Sequence, residues 1–216
     1  EALLLAAWQQ KLEPPYDFLH ERPDLGRAPA PRIDRAYLGR FPRYTMVTLD
    51  ASRGCPFTCS FCAIINVQGR SMRAPRAETV ARTIEHHYRA HGFDHHFFTD
   101  DNFARNPERD AILDALIELR EVRGVPVLFD MQVDTAAYRI PGFVARAARA
   151  GCQQIFIGME SLDSANLAGA SKRQNVPERY GEMIELWPRH AIVTQVGYII
   201  GFPHDTPESV ARDVEA

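Results

Sequence analysis

The sequence predicts an α/β fold on a parallel sheet, and three observations carry that reading. Short runs rich in Val, Ile, Phe and Leu recur from Tyr44 onward, segments of helical period separate them, and Gly or Pro closes most of those segments. The runs are near-continuous rather than strictly alternating, which suits strands covered by helices on one or both faces. A doubly wound sheet and a barrel both satisfy this pattern, and both place their chemistry at the C-terminal ends of the strands.

Residues 1 to 44 stand apart. Six of the 15 prolines (Pro14, Pro15, Pro23, Pro29, Pro31 and Pro42) fall there with little periodicity of either kind, so the stretch reads as a helical remnant and a linker. The first strand is Tyr44 to Leu49. A helix follows from about Pro75 to His91, stopped by Gly92, and Phe93 to Thr99 is the second strand. Asn106 with Pro107 is a helix start, and Ile112, Leu113, Leu116 and Ile117 give that helix one apolar face. Val125 to Val133 is the third strand, Gly142 to Ala150 a helix stopped by Gly151, and Gln153 to Met159 the fourth strand. Pro177 to Leu186 is helical with Pro188 ending it, Ala191 to Ile200 is the fifth strand, and Thr206 with Pro207 opens a last helix. Five βα units are therefore expected. The chain begins with Glu1 and stops inside that last helix, so it reads as a piece of something longer.

Composition bounds the function. The 216 residues are 45% hydrophobic and 25% charged, ordinary for a chain that buries a core. A net charge of -3 supplies no basic field for a phosphate backbone, so nucleic acid is not expected as a partner. No run reaches the roughly 18 apolar residues of a membrane helix and no secretory leader is visible, so a soluble, cytoplasmic protein is expected. Three of the four cysteines, Cys55, Cys59 and Cys62, crowd together while Cys152 is far away. Such crowding argues against a disulfide framework and for metal or redox chemistry.

The crowded cysteines lie in SRGCPFTCSFC, Ser52 to Cys62, spaced C-x-x-x-C-x-x-C in the loop after the first strand. A structural zinc ion takes four ligands, usually as two paired knuckles, and this loop offers three. A 4Fe-4S cluster held by three thiolates leaves one iron open to a small molecule. The loop resembles the signature of the radical SAM superfamily, including the aromatic residue before the last cysteine, here Phe61. The resemblance spans roughly residues 44 to 216 and implies a partial TIM-like (β/α)6 barrel, preceded by the linker and truncated before its sixth strand. It also implies that Cys55, Cys59 and Cys62 hold the cluster. The open iron would chelate the amino and carboxylate groups of S-adenosylmethionine (SAM), whose reductive cleavage gives methionine and a 5'-deoxyadenosyl radical. That chemistry calls for an electron donor such as flavodoxin or ferredoxin, and for a small-molecule substrate at the barrel mouth.

Three further stretches match the family in order along the chain. In FFTDDNF, at the end of the second strand, Asp100, Asp101 and Asn102 would accept hydrogen bonds from the SAM ammonium, the alternative being an Asx turn. In GMES, ending the fourth strand, Glu160 would accept the ribose hydroxyls with Ser161 beside it, the alternative being a helix cap. In GYIIGFP, Gly197, Ile199 and Gly201 would bed the adenine, the alternative being a bulged strand. Gln132 and the run Lys172 to Asn175 (KRQN) would face the barrel mouth, where they could touch substrate, although KRQN reads first as a solvated charge run. His86, His87, His91, His95 and His96 read as surface and helix-end histidines rather than ligands, and Cys152 as a buried small hydrophobe.

The flanks of the cysteine loop, TDDNF and GFPHDTPES resemble the branch of the superfamily that carries a cobalamin-binding domain upstream of the barrel. On that resemblance residues 1–44 are the tail of such a domain, and the outcome is methylation or rearrangement of a small metabolite. The branch's Asp-x-His-x-x-Gly cobalamin motif does not occur in these residues. Two other readings stay open: a methylthiotransferase-type radical SAM enzyme acting on tRNA or protein, and a metal-binding module without catalysis.

Overall fold

The expected apolar runs become five parallel strands, β1 (Met46–Leu49), β2 (His95–Phe98), β3 (Leu128–Val133), β4 (Cys152–Glu160) and β5 (Val193–Tyr198), hydrogen-bonded in sequence order. This computed structural model describes residues 2–12, 21–31, 33, 36, 38 and 46–215. Tyr44 and Thr45 of the expected first strand, and much of the expected linker, lie outside that set. Between the strands run α3 (Ala77–His91), α4 (Arg109–Glu121), α5 (Phe143–Ala150), and the pair α6 (Ser164–Gly169) and α7 (Tyr180–Arg189). A short α1 (Ala2–Trp8) precedes the sheet, α2 (Ile64–Val67) follows the cysteine loop, and α8 (Pro207–Glu215) follows β5.

Strand order decides what the sequence left open. A doubly wound sheet reverses direction at a switch point, whereas sequential order with right-handed crossovers keeps every connecting helix on one face. The chain is therefore an arc of a (β/α) barrel, open at β1 and β5 among the described residues. One face is packed and the other is not, so burial alternates along β3 and through most of β4 instead of being continuous. Phe98, Phe129, Met131, Ile155 and Ile157 are fully buried against the helices. Phe98 stacks on Phe129 at 4.8 Å, and Phe143 meets Trp187 edge-on at 6.0 Å.

Local signals act where expected. The Asn106 side chain accepts from Glu108 N–H at 2.8 Å, although the regular helix starts only at Arg109. Thr206 accepts from Ser209 N–H and the Ser209 hydroxyl oxygen accepts from Thr206 N–H, which closes the start of α8. At Gly151, which ends α5 with φ 106°, a Cβ would stand 2.1 Å from the Val127 carbonyl oxygen, so no other residue fits. Pro188 sits inside the last turn of α7 instead of ending it, and the helix continues to Arg189.

The histidine reading needs a correction. His87 on α3 and His96 on β2 are buried, their rings stack at 5.4 Å, and His87 Nδ1 lies 3.1 Å from His96 Nε2. Burial, with the neighbouring histidines, pushes both down to about 4, so they pair as neutral rings. No spacing marks the pair, because His96 falls on the helix-facing side of a strand whose register is known only once β2 is placed. Cys152 opens β4 and is buried as expected, its thiol pushed up by that burial.

Candidate active site

The C-terminal ends of β1 to β4 converge on a cavity of about 250 Å³. Its wall carries Cys55, Cys59 and Cys62 from the loop after β1, Asp101 and Asn102 after β2, Gln132 and Asp134 on and after β3, and Glu160 at the end of β4. Phe61 and Phe156 supply apolar surface.

The cysteine loop is shaped from beneath by the carboxylates that follow β2. Asp100 is fully buried and accepts from Ala51 N–H at 2.8 Å and from the Ser52 hydroxyl. Asp101 accepts from Gly54 N–H at 2.8 Å. Asn106 adds a hydrogen bond from its amide to the Ala51 carbonyl at 2.8 Å. Gly54 itself has φ +100° and a Cβ there would lie 2.6 Å from the Ser71 carbonyl oxygen, so the turn into Cys55 requires glycine. Asp100 is thus neither a ligand-facing acceptor nor an Asx cap: its carboxyl is spent on the loop, and burial pushes it up to about 7. Asn102 stays at the cavity, donating to Asp134 at 3.0 Å while its Oδ1 is buried without a partner.

Asp134 is the hub of that wall. Arg105 holds it with two hydrogen bonds, 2.7 and 2.8 Å, Ala136 N–H adds a third at 2.9 Å, and the guanidinium stands 5.5 Å from the centre of the Phe57 ring in the cysteine loop. One arginine therefore ties the end of β3 to the loop.

On the opposite wall, Glu160 adopts φ +67° where the β4–β5 register shifts. A non-glycine residue in this region costs about 1 to 2 kcal/mol. The conformation aims the carboxylate at Lys172, whose Nζ is 2.5 Å away with both side chains nearly buried. Lys172 also lies 5.6 Å over the Phe61 ring, and Phe61 meets Phe202 edge-on. The KRQN run is therefore not a solvated face: Lys172 and Asn175 are buried, and Gln174 borders the cavity. The run does face the barrel mouth as its place after the fourth strand implies, but it is buried there because the chain after α6 folds back over the cysteine loop.

The remaining expected residues sit outside the cavity. Ser161 is buried and accepts from Asp163 N–H at 3.0 Å, as a cap would. Gly197 lies beside Gly158 across the strands, and a Cβ there would stand 2.8 Å from Phe156 Cζ, so its smallness makes room for that ring. Ile199 N–H donates to the Glu160 carbonyl at 2.9 Å, and Gly201 N–H donates to Asp205 at 2.7 Å.

The thiol set suits an iron-sulfur cluster. The three cysteines line one cavity, and Gln174 offers an N–H toward one sulfur. Burial, with neighbouring negative charge, pushes the Cys55 thiol up, so its thiolate needs a cationic partner of the kind a cluster provides. Cys152, at the far end of β4 from Glu160, is in no position to complete a four-thiolate zinc site.

An open (β/α) arc with a three-cysteine loop after its first strand defines the class to which the comparisons assign this protein. The chain belongs to the radical SAM superfamily, whose family model matches residues 50–216. Members of that family use a 4Fe-4S cluster and SAM, and this chain is a radical SAM enzyme core. It is 28% identical over 76% of its length to bacteriochlorophyllide d C-12(1)-methyltransferase of Chlorobaculum tepidum, and covers 35% of that protein. It is 26% identical over 88% of its length to hopanoid C-2 methylase of Rhodopseudomonas palustris, covering 36%. The chain thus spans about a third of the length of these relatives. Among solved structures, the cobalamin-dependent SAM radical enzyme OxsB superposes with TM-score 0.73 at 20% identity, over 98% of this chain and 34% of that one. The radical SAM methyltransferase TsrM of Kitasatospora setae superposes with TM-score 0.71 at 20% identity, over 82% and 34%. The fold is shared with both. No helix among the described residues is long and apolar enough to cross a membrane.

Proposed function

We propose that this chain is the catalytic core of a cobalamin-linked radical SAM methyltransferase acting on a carbon of a small organic substrate. The observation that carries the reading is the single cavity in which the three thiols meet the Glu160–Lys172 pair and the unpartnered Asn102 oxygen. Relatives named as methyltransferases and methylases support the transferred group.

In this reading Cys55, Cys59 and Cys62 hold the cluster, which when bound supplies the one electron that opens the sulfonium carbon–sulfur bond of SAM. Asn102 Oδ1 accepts from the SAM ammonium, with Asp101 nearby. Glu160 accepts ribose hydroxyls, and the Lys172 ammonium beside it holds that carboxylate in place. Phe61 and Phe156 exclude water from the reacting centre. Gly197, Ile199 and Gly201, outside the cavity, are placed on the adenine side. The residues of this chain offer no cobalamin motif, so we assign cobalamin to an upstream domain for which residues 1–44 form the linker, and derive no step through it. A one-electron donor such as flavodoxin or ferredoxin completes the scheme.

The test is anaerobic reconstitution with iron and sulfide, dithionite reduction, and EPR with and without SAM. The expected result is a reduced 4Fe-4S signal that changes on adding SAM, is lost in Cys59→Ala, and accompanies 5'-deoxyadenosine release. A tight zinc complex without an iron-sulfur signal would overturn it in favour of a structural metal module.

A further inference from the structure

Residues 170–175, which follow α6, form a strap across the site, and its backbone is pinned at several points. Ser60 N–H donates to the Ala170 carbonyl at 2.9 Å, so the strap is tied to the cysteine loop. The Thr135 hydroxyl donates to the Gln174 carbonyl at 3.1 Å. The Asn175 side chain donates from Nδ2 to the Gly158 and Met159 carbonyls at 3.0 and 2.7 Å, so the strap is also tied to the end of β4. Held this way, the strap delivers the Gln174 side chain to Cys59, with Nε2 3.6 Å from Sγ. Cys59 is the one buried member of the three, 8% exposed, and Gln174 is the one side-chain donor to any of them among the described residues.

We propose that Gln174 is a positioning residue that sets the reduction potential of the cluster held by Cys55, Cys59 and Cys62, through an N–H donated to the Cys59 sulfur. The inference rests on the cluster assignment and goes beyond it by naming a residue outside the cysteine motif. Reduction moves one electron from an external low-potential donor onto the cluster and its thiolates, so negative charge on sulfur rises. A fixed N–H dipole stabilises that more negative sulfur more than the oxidised one, and does so strongly where water is excluded. Gln174 carries no charge, and its backbone contacts do not depend on its side chain. The effect therefore belongs to the donor hydrogen alone.

The experiment compares the full chain with Gln174→Met, which keeps length and removes the donor, and Gln174→Glu, which keeps shape and replaces the donor with a carboxylate. Each is reconstituted anaerobically, assayed for iron and sulfide, and titrated with dithionite while the reduced EPR signal is followed. At equal iron content the midpoint potential is expected to fall from wild type to Gln174→Met and further to Gln174→Glu. Equal potentials in wild type and Gln174→Met would overturn the proposal, as would an unmoved potential with weakened SAM binding, which would place Gln174 on the ligand instead. A measurement on wild type alone guards against variants that fail to assemble a cluster: with glutamine side chains labelled with 15N, pulsed EPR is expected to show a weak coupling to one side-chain nitrogen. Absence of that coupling would also overturn the proposal. Failure of the wild-type chain to assemble any cluster is distinguishable from all of these, because it removes the cluster assignment itself and the proposal with it.

Discussion

On the face of the sheet that meets the helices, Phe98, Phe129, Met131, Ile155 and Ile157 are apolar and fully buried. The same strands turn Asp130, Gln132 and Gln154 the other way and, with Gln195 on β5, these line a second cavity of about 190 Å³ that Phe97 and Phe156 also border. Gln132 and Phe156 border this cavity and the one at the cysteines, so the two are neighbours. In a closed barrel the inner positions are filled by layers of branched side chains. Here four of them are three amides and a carboxylate beside two phenylalanine rings, and a packed core would penalise those polar groups unless each were paired. Stability is therefore carried by one face, and the other is free to carry chemistry.

The largest effect is expected from Phe129→Ala. The ring is fully buried between Phe98 and the helices. Its removal is expected to cost about 3 to 5 kcal/mol, read as a lower urea midpoint. Next comes Lys172→Met at the mouth, which strands the nearly buried Glu160 carboxylate. Breaking such a pair costs about 3 to 5 kcal/mol, whereas replacing both partners is close to neutral. The double variant Lys172→Met with Glu160→Leu is therefore expected to regain most of the lost stability while leaving the site without its acid. A double variant as unstable as the single would mean that the pair supports the fold itself.

How much of this was legible differs between the two faces. The helix-facing pattern was readable, because Ile112, Leu113, Leu116 and Ile117 repeat at helical spacing and the strands are rich in Phe, Ile and Val. The cysteine loop was readable because its ligands are local in the chain. What could not be read is long-range: the run Lys172 to Asn175 is placed at the mouth by its strand end, but its burial and its contacts with Glu160, Cys59 and β4 depend on a strap folding back over the loop, and Arg105 reaches Asp134 and Phe57 across 29 and 48 positions of chain. Asp100 was assigned to the ligand because of its place at a strand end, and only the three-dimensional path of the loop shows that its carboxyl points beneath it.

A polar exception on the helix-facing side gives a smaller and pH-dependent effect. His87 and His96 are lowered from 6.5 to about 4 by burial first and then by neighbouring histidines, His86 and His91 for the one and His87 and His95 for the other. Between those values the unfolded chain binds more protons than the folded one, so their contribution is present above about 6.5 and is lost as pH falls toward about 4. Asp100, raised from 3.8 to about 7 by burial, works with the opposite sign in an overlapping window. The comparison of wild type with His96→Phe isolates the histidines, since Asp100 is common to both. Between pH 7 and pH 5 the wild type is expected to lose more melting temperature than the variant. Equal losses would mean that the stacked pair takes up protons without cost.

The smallest expected effect is on the inner face, at Gln154, whose amide donates to Gln195 at 3.0 Å where both are accessible. An exposed amide pair contributes little, because water replaces either partner. Gln154→Leu is therefore expected to change unfolding free energy by less than about 1 kcal/mol in urea titration, in either direction. A loss comparable to that of Phe129→Ala would show the inner face to be a packed core. A small change, with the reduced EPR signal preserved, would mark Gln154 as a position where the lumen can vary to suit a substrate while the helices keep the fold.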